Sequence, residues 1–415
     1  MDLVEELGLA GGSMFIRAVA ASAPALLLSC ASIPAGNEQA VATPVRVFDG
    51  HSDLAIHYLR TEPPWRVAAH DISRSLPGQA DIPRWRAGGV QGALVTVASD
   101  REGSGEHFPR LLASLDWFDA LVVRHSAKLE KVRTLAELRA ARRQGRIALI
   151  PAIEGGDQID GSIANLRTAY ARGVRSMLIV YDHHNNLGDG AMVLEQSPSR
   201  ASAVHGGLTP LGRMVIGEMN RIGMIVDLSH ASSATAQQAL AASRAPVIFS
   251  HSGAQVLADT PRNVSNETLR RLAANGGLIM VPLAPYLTTT EHWKWWSAGE
   301  AQYAALVKTH PGNETAVKLG MAKWDSTNPV PLVTVAHVAD QIEHVARVAG
   351  YDHVGLGTDF DGMGSLKIRG LEDASQLPVL FSELRRRGWT HRQMKALGSG
   401  NFERVLLQVQ ARANR

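Results

Sequence analysis

Six residues in this chain have the types and spacing for metal chemistry: His51, Asp53, Glu154, His230, His251 and Asp359, each at the close of a short apolar run. In an extended strand, residues i and i+2 face the same side, so the His51 imidazole and the Asp53 carboxylate can reach one ion. One such pair is a weak signal, because a His beside an Asp is commonly a hydrogen-bonding pair in a core or on a surface. Three histidines and three carboxylates at five strand ends resist that explanation. Ionised carboxylates packed together are costly unless a cation compensates them. Imidazole and carboxylate donors without thiolate suit Zn²⁺, with Mn²⁺ and Co²⁺ as further candidates. The set His51, Asp53, Glu154, His230 and His251 exceeds what one catalytic zinc takes from protein, and a carboxylate such as Glu154 can bridge two ions. Two Zn²⁺ per chain are therefore expected. A two-metal centre lowers the pKa of a shared water and polarises a carbonyl. Asp359 then suits proton transfer; the competing reading makes it a partner that orients a metal-bound histidine.

Elements that could hold these residues recur along the chain. Strand-like runs cover 45–53, 92–99, 147–154, 176–182, 224–230, 246–251, 277–284 and 353–360, and the stretches between them look helical. Near-continuous apolar runs of this length suit strands buried on both faces, as in a parallel sheet. One intervening helix is expected over 208–221, stopping at Gly223. Eight β-then-α units predict a (β/α)8 TIM barrel. An open doubly wound sheet is the alternative, but no Gly-rich nucleotide fingerprint follows the first strand. The polar strand ends favour the barrel, whose mouth would gather His51, Asp53, Glu154, Tyr181, His230, His251 and Asp359. A long insertion, 285–333, separates strands seven and eight and carries Trp293, Trp295, Trp296 and Tyr303. It suits a lid over the mouth or a contact with a second subunit, and an extra helical layer on the barrel's side competes with both.

Composition narrows the class further. With 45% hydrophobic and 20% charged residues over 415 positions, the chain reads as a globular enzyme. Its net charge of +3 comes from interspersed charges, and no basic run suggests a nucleic-acid partner. Cys30 is the only cysteine, which excludes an internal disulfide and any thiolate zinc site. It closes MFIRAVAASAPALLLSC, starting at Met14: one basic residue, then an apolar stretch too short to span a bilayer. The Leu-Leu-Ser-Cys ending resembles a bacterial lipobox, which implies lipidation of Cys30 and a membrane-anchored lipoprotein facing the periplasm or cell exterior. The expected organisation is a signal peptide over 1–30 with Met14 as an alternative start, a flexible tether over 31–44, and a catalytic barrel over 45–410.

The motifs FDGHSD, PAIEGGDQI, GMIVDLSHAS, IFSHSGAQVLADTPRNV and GLGTDFDG, in that order, resemble the membrane (renal) dipeptidase family of the amidohydrolase superfamily. The resemblance covers roughly residues 45–405. It implies that His51 and Asp53 bind one zinc, His230 and His251 the other, with Glu154 bridging. It implies that Asp359 handles the proton of the water or leaving amine, and that Arg262 and Asn263 bind substrate. Arg262 would hold a dipeptide's C-terminal carboxylate, which suits a guanidinium fork. The implied reaction is zinc-dependent hydrolysis of dipeptides by a metal-bound hydroxide, with N-acyl amino acid or lactone hydrolysis as the alternative and a homodimer as a candidate assembly. Two departures bear on substrate preference. Tyr181 stands where mammalian members place a substrate-binding histidine, with His183 and His184 as alternative occupants of that role. Strand seven ends VPLAPY, lacking the family's usual Asn-Phe-type ending. The remaining histidines lack a ligand-like context.

Overall fold

The computed structural model describes residues 44–54, 71–99, 107–192 and 204–413. Cys30, the signal-like segment and all of the expected tether except Pro44 lie outside the described residues. Among the described residues there are nine strands: β1 (Val47–Ser52), β2 (Val90–Ser99), β3 (Leu129–Lys131), β4 (Ile147–Glu154), β5 (Ser176–Leu178), β6 (Ile225–Asp227), β7 (Ile248–Phe249), β8 (Leu278–Val281) and β9 (Val354–Leu356). Every ladder is parallel. The ring runs β1-β2-β4-β5-β6-β7-β8-β9, and Asp49 pairs with Leu356 to return β9 to β1. Eight strands therefore close into the expected (β/α)8 barrel. The ninth, β3, was not anticipated; it pairs with Ile147–Leu149 of β4, below the point where β5 joins at Ala152.

Burial explains the apolar runs. All eight residues of β4 are buried, because one face meets the barrel interior and the other the helical layer. Inside, Phe48, Leu94, Ile150, Ile248 and Met280 form one cluster with Phe402 and Val405 from the C-terminal helix Asn401–Arg412. Phe48 and Phe402 stack with ring centroids 3.7 Å apart, so that helix plugs the end of the barrel opposite the mouth. The helix Pro210–Ile222 shows the local signals directly: the Thr209 side chain accepts from Gly212 N, proline occupies the first turn, and Gly223 ends it at φ 80°.

The insertion folds into the helices Pro285–Thr288, Thr290–Thr309 and Glu314–Thr327. Of the two long helices only His292 and Val317 are buried, and they contact each other through Trp295 and Trp324, whose rings lie 5.6 Å apart. Its base is tied to the loop that follows β7. Leu287 O accepts from Asn263 Nδ2 at 2.9 Å, Thr290 N donates to Leu257 O at 3.2 Å, and Thr290 Oγ1 accepts from Asp259 N at 3.0 Å. Among the described residues, no helix is long and apolar enough to cross a membrane.

Candidate metal centre

Each candidate ligand sits at or just beyond the C-terminal end of a strand. His51 and Asp53 close β1, Glu154 is the last residue of β4, His230 lies three residues past β6, and His251 two past β7. Beneath them, two buried aspartates hold the strand ends together. Asp49 accepts from Thr358 N (2.7 Å), Thr358 Oγ1 (2.6 Å) and His51 N (3.2 Å). Asp227 accepts from Ser229 N and Ser250 N, both at 3.1 Å. His230 and Asp359 adopt left-handed backbone (φ 66° and 60°), which costs a non-glycine residue of order 1–3 kcal/mol. The surrounding hydrogen bonds impose that conformation and re-aim both side chains into the mouth.

The donor atoms converge. Glu154 Oε1 lies 3.3 Å from His51 Nε2, 3.5 Å from His230 Nε2 and 3.7 Å from His251 Nε2. Asp53 Oδ1, buried and without a hydrogen-bond partner, is 3.4 Å from His51 Nε2. His230 and His251 bring their Nε2 atoms within 2.9 Å of each other. Their Nδ1 atoms are held separately: His230 Nδ1 by Asp182 Oδ1 at 2.5 Å, His251 Nδ1 by Ser250 Oγ at 2.9 Å. Rings pinned through one nitrogen while the other faces a shared carboxylate are what metal-ligating histidines require. Two sets have all their donor atoms within 4.8 Å of one another: His51, Glu154 and His251, and His51, Asp53 and Asp359. The donor chemistry fits a divalent cation.

Residues 36–415 match the membrane dipeptidase family, peptidase family M19. The chain belongs to that family. It is 32% identical over 377 residues to dipeptidase verJ of Clonostachys rogersoniana, covering 88% of this chain and 84% of that protein. To dipeptidase 3 of Rattus norvegicus it is 32% identical over 386 residues, covering 91% of this chain and 68% of that protein. The probable dipeptidase PvdM of Pseudomonas aeruginosa shares the fold, with a TM-score of 0.75, 22% identity, and coverage of 89% and 96% of the two chains. So does a metallopeptidase of Rhodobacter sphaeroides bound to a phosphinate mimic of the dipeptide L-Ala-D-Ala, with a TM-score of 0.72, 22% identity, and coverage of 88% and 100%. As a membrane dipeptidase family member, the chain is a hydrolase of the metallopeptidase class, and a metal belongs in the site just described.

The electrostatics of this dipeptidase-family site follow from burial. Burial opposes charge on His51, yet the Glu154 and Asp53 carboxylates outweigh it and hold His51 well above the ordinary histidine value. Burial likewise opposes ionisation of Glu154, but His51 and His230 keep it well below the usual carboxylate range. His251 is pushed well down by burial and by the neighbouring His51 and Arg262 charges, which leaves it a neutral donor. Asp359 is pushed up to about 7, first by burial and then by the Asp53 and Glu154 carboxylates, against the opposing pull of His51. Gly362 permits that crowding, because a Cβ there would collide with the Asp53 and Asp359 oxygens. Asp361 locks the same turn by accepting from Gln79 N (2.6 Å) and Ala80 N (3.2 Å).

The expected substrate-binding residues surround this centre in different ways. Arg262 is buried, 3.5 Å from Ser252 Oγ and 3.9 Å from Asp182 Oδ1, and borders a cavity of about 310 Å³ with Asn263, Ser232, Phe249 and Gln255. The Asn263 side chain is committed to backbone: Oδ1 accepts from Gly253 N, and Nδ2 donates to Ala258 O and Leu287 O. It holds the loop that carries Arg262. Tyr181 is buried and stacks on His230 with centroids 4.3 Å apart. His183 and His184, the alternatives to Tyr181, each face a carboxylate instead: Asp157 at 2.7 Å and Asp189 at 3.1 Å. Asp182, Ser250, Asp49 and Asp227 escaped sequence reasoning. The Asp-Gly-His spacing of Asp49 and His51 could have pointed to one of them; nothing local marks the others.

Proposed function

We propose that this enzyme hydrolyses dipeptides at a binuclear zinc centre held by His51, Asp53, Glu154, His230 and His251. The observation that carries this reading is the convergence of three histidine Nε2 atoms on the single oxygen Glu154 Oε1, which suits a bridging carboxylate. When bound, the two ions supply Lewis acidity, lowering the pKa of a water and polarising the scissile carbonyl. Asp359, poised near 7 by its burial, takes the proton of the attacking water and returns it to the leaving amine. With cations held by His51, Asp53 and Glu154, that value would fall again, and Asp359 would start each cycle as the base. Tyr181 donates its hydroxyl to the oxygen that gains charge as the carbonyl becomes tetrahedral. Arg262 holds the C-terminal carboxylate, and its burial excludes the water that would otherwise weaken that contact. The dipeptide mimic bound by the Rhodobacter metallopeptidase supports this substrate class.

Arg262→Ala is expected to raise KM for a free-acid dipeptide by the equivalent of about 2–4 kcal/mol, with kcat changed far less. The mutant should also lose the wild-type preference for a dipeptide over its C-terminal amide. A wild-type enzyme that cleaves acid and amide equally well lacks carboxylate recognition, and N-acyl amino acid or lactone hydrolysis then replaces the dipeptide reading.

For the exported form we propose lipidation at Cys30, on the strength of the apolar segment that ends Leu-Leu-Ser before it. The Cys30→Ala protein should move from the membrane fraction to the soluble or unprocessed pool. Identical fractionation of the two forms, with no lipid mass on the wild type, excludes the anchor.

A further inference from the structure

We infer that Asp182 is a positioning residue for two parts of the site at once, fixing the zinc-facing form of His230 and the orientation of Arg262. The inference rests on the dipeptidase reading for its substrate half and on geometry alone for its metal half. One oxygen, Asp182 Oδ1, lies 2.5 Å from His230 Nδ1 and 3.9 Å from Arg262 Nε. With its Nδ1–H donated to Asp182, His230 presents a lone pair at Nε2, the atom that faces Glu154 Oε1 and His251. A carboxylate in that position also strengthens the imidazole as a ligand. Tyr181, the preceding residue, stacks on the same ring, so the segment leaving β5 grips His230 by its face and by its edge.

The second role follows from burial. The Arg262 side chain is 3% exposed, and a guanidinium that deep needs a compensating charge. Asp182 supplies it on the Nε side, while Nη1 reaches Ser252 Oγ at 3.5 Å. The guanidinium plane is therefore set before any ligand arrives, and the incoming carboxylate meets a preorganised fork. His230 follows β6 and the Arg262 loop follows its ladder partner β7, and beyond that pairing one carboxylate oxygen, Asp182 Oδ1, faces both side chains.

Two variants separate the roles. Asp182→Ala removes both contacts and should weaken zinc binding by about 10–100-fold in chelator competition. At saturating zinc it should also raise KM for a free-acid dipeptide while leaving KM for the C-terminal amide unchanged. Asp182→Asn keeps an oxygen that accepts from His230 Nδ1 but lacks the charge facing Arg262. It should recover most of the zinc affinity and little of the free-acid KM. Unchanged zinc affinity in both variants overturns the proposal, as does loss of zinc affinity with the free-acid preference intact. Should Asp182→Ala prove unfolded by its metal-free melting temperature, Asp182→Asn decides alone, and an unchanged free-acid KM overturns the coupling. If the wild type does not distinguish acid from amide, the dipeptide reading fails separately, and zinc affinity still tests the contact with His230.

Discussion

Asp359→Asn is expected to keep its zinc and its KM while kcat falls by roughly 10²–10⁴-fold. Asparagine preserves the shape of a buried side chain in left-handed backbone, a conformation that it tolerates well. What it removes is an exchangeable proton on a carboxyl that burial has lifted to about 7. Metal content measured alongside steady-state kinetics decides between the two roles open to this residue. A variant that loses zinc in proportion to activity makes Asp359 a ligand, in line with its place in the His51, Asp53 and Asp359 set.

Glu154→Ala should be more severe. Its Oε1 lies within 3.7 Å of all three histidine Nε2 atoms, and its charge faces His51 and His230 in a buried mouth. Without it Asp53 and Asp359 are the carboxylates left in the clustered donor sets, and neither faces all three histidines as Glu154 does. The variant should retain at most one zinc per chain and lose at least about 10³ in kcat, since removing even one preorganised oxyanion donor costs roughly 10²–10³. Full zinc content in purified Glu154→Ala, by elemental analysis, removes Glu154 as a bridge.

Much of this was legible in the chain itself, for a physical reason. A strand buried on both faces has to be apolar, so a polar residue at its end stands out; His51, Glu154, His230, His251 and Asp359 were found that way. The same rule concealed β3. Only Leu129 of its three residues is buried, and Glu130 and Lys131 give no apolar run to read. Asp182 was hidden differently. Its partners lie 48 residues away at His230 and further still at Arg262, and no local periodicity encodes a contact between two loops. Asn263 was singled out by its motif, yet its amide serves three backbone groups, which only the folded loop reveals. The insertion's length was plain, while its attachment to the Arg262 loop depended on the Asn263 amide, the Thr290 hydroxyl and one backbone bond, which no local pattern encodes.

The contact between Asp49 and Thr358 spans 309 residues and closes the ring beneath the ligands. Its consequence concerns the order of folding. Loop closure over such a separation is slow and comes late, because its entropy is spent before the contact rewards it. His51 and Asp53 stand on the first strand and the Asp359 turn follows the last, so Asp359 joins the proposed ligands only when the ring closes. A cation that binds the folded mouth and not the open chain would then stabilise the finished barrel by mass action.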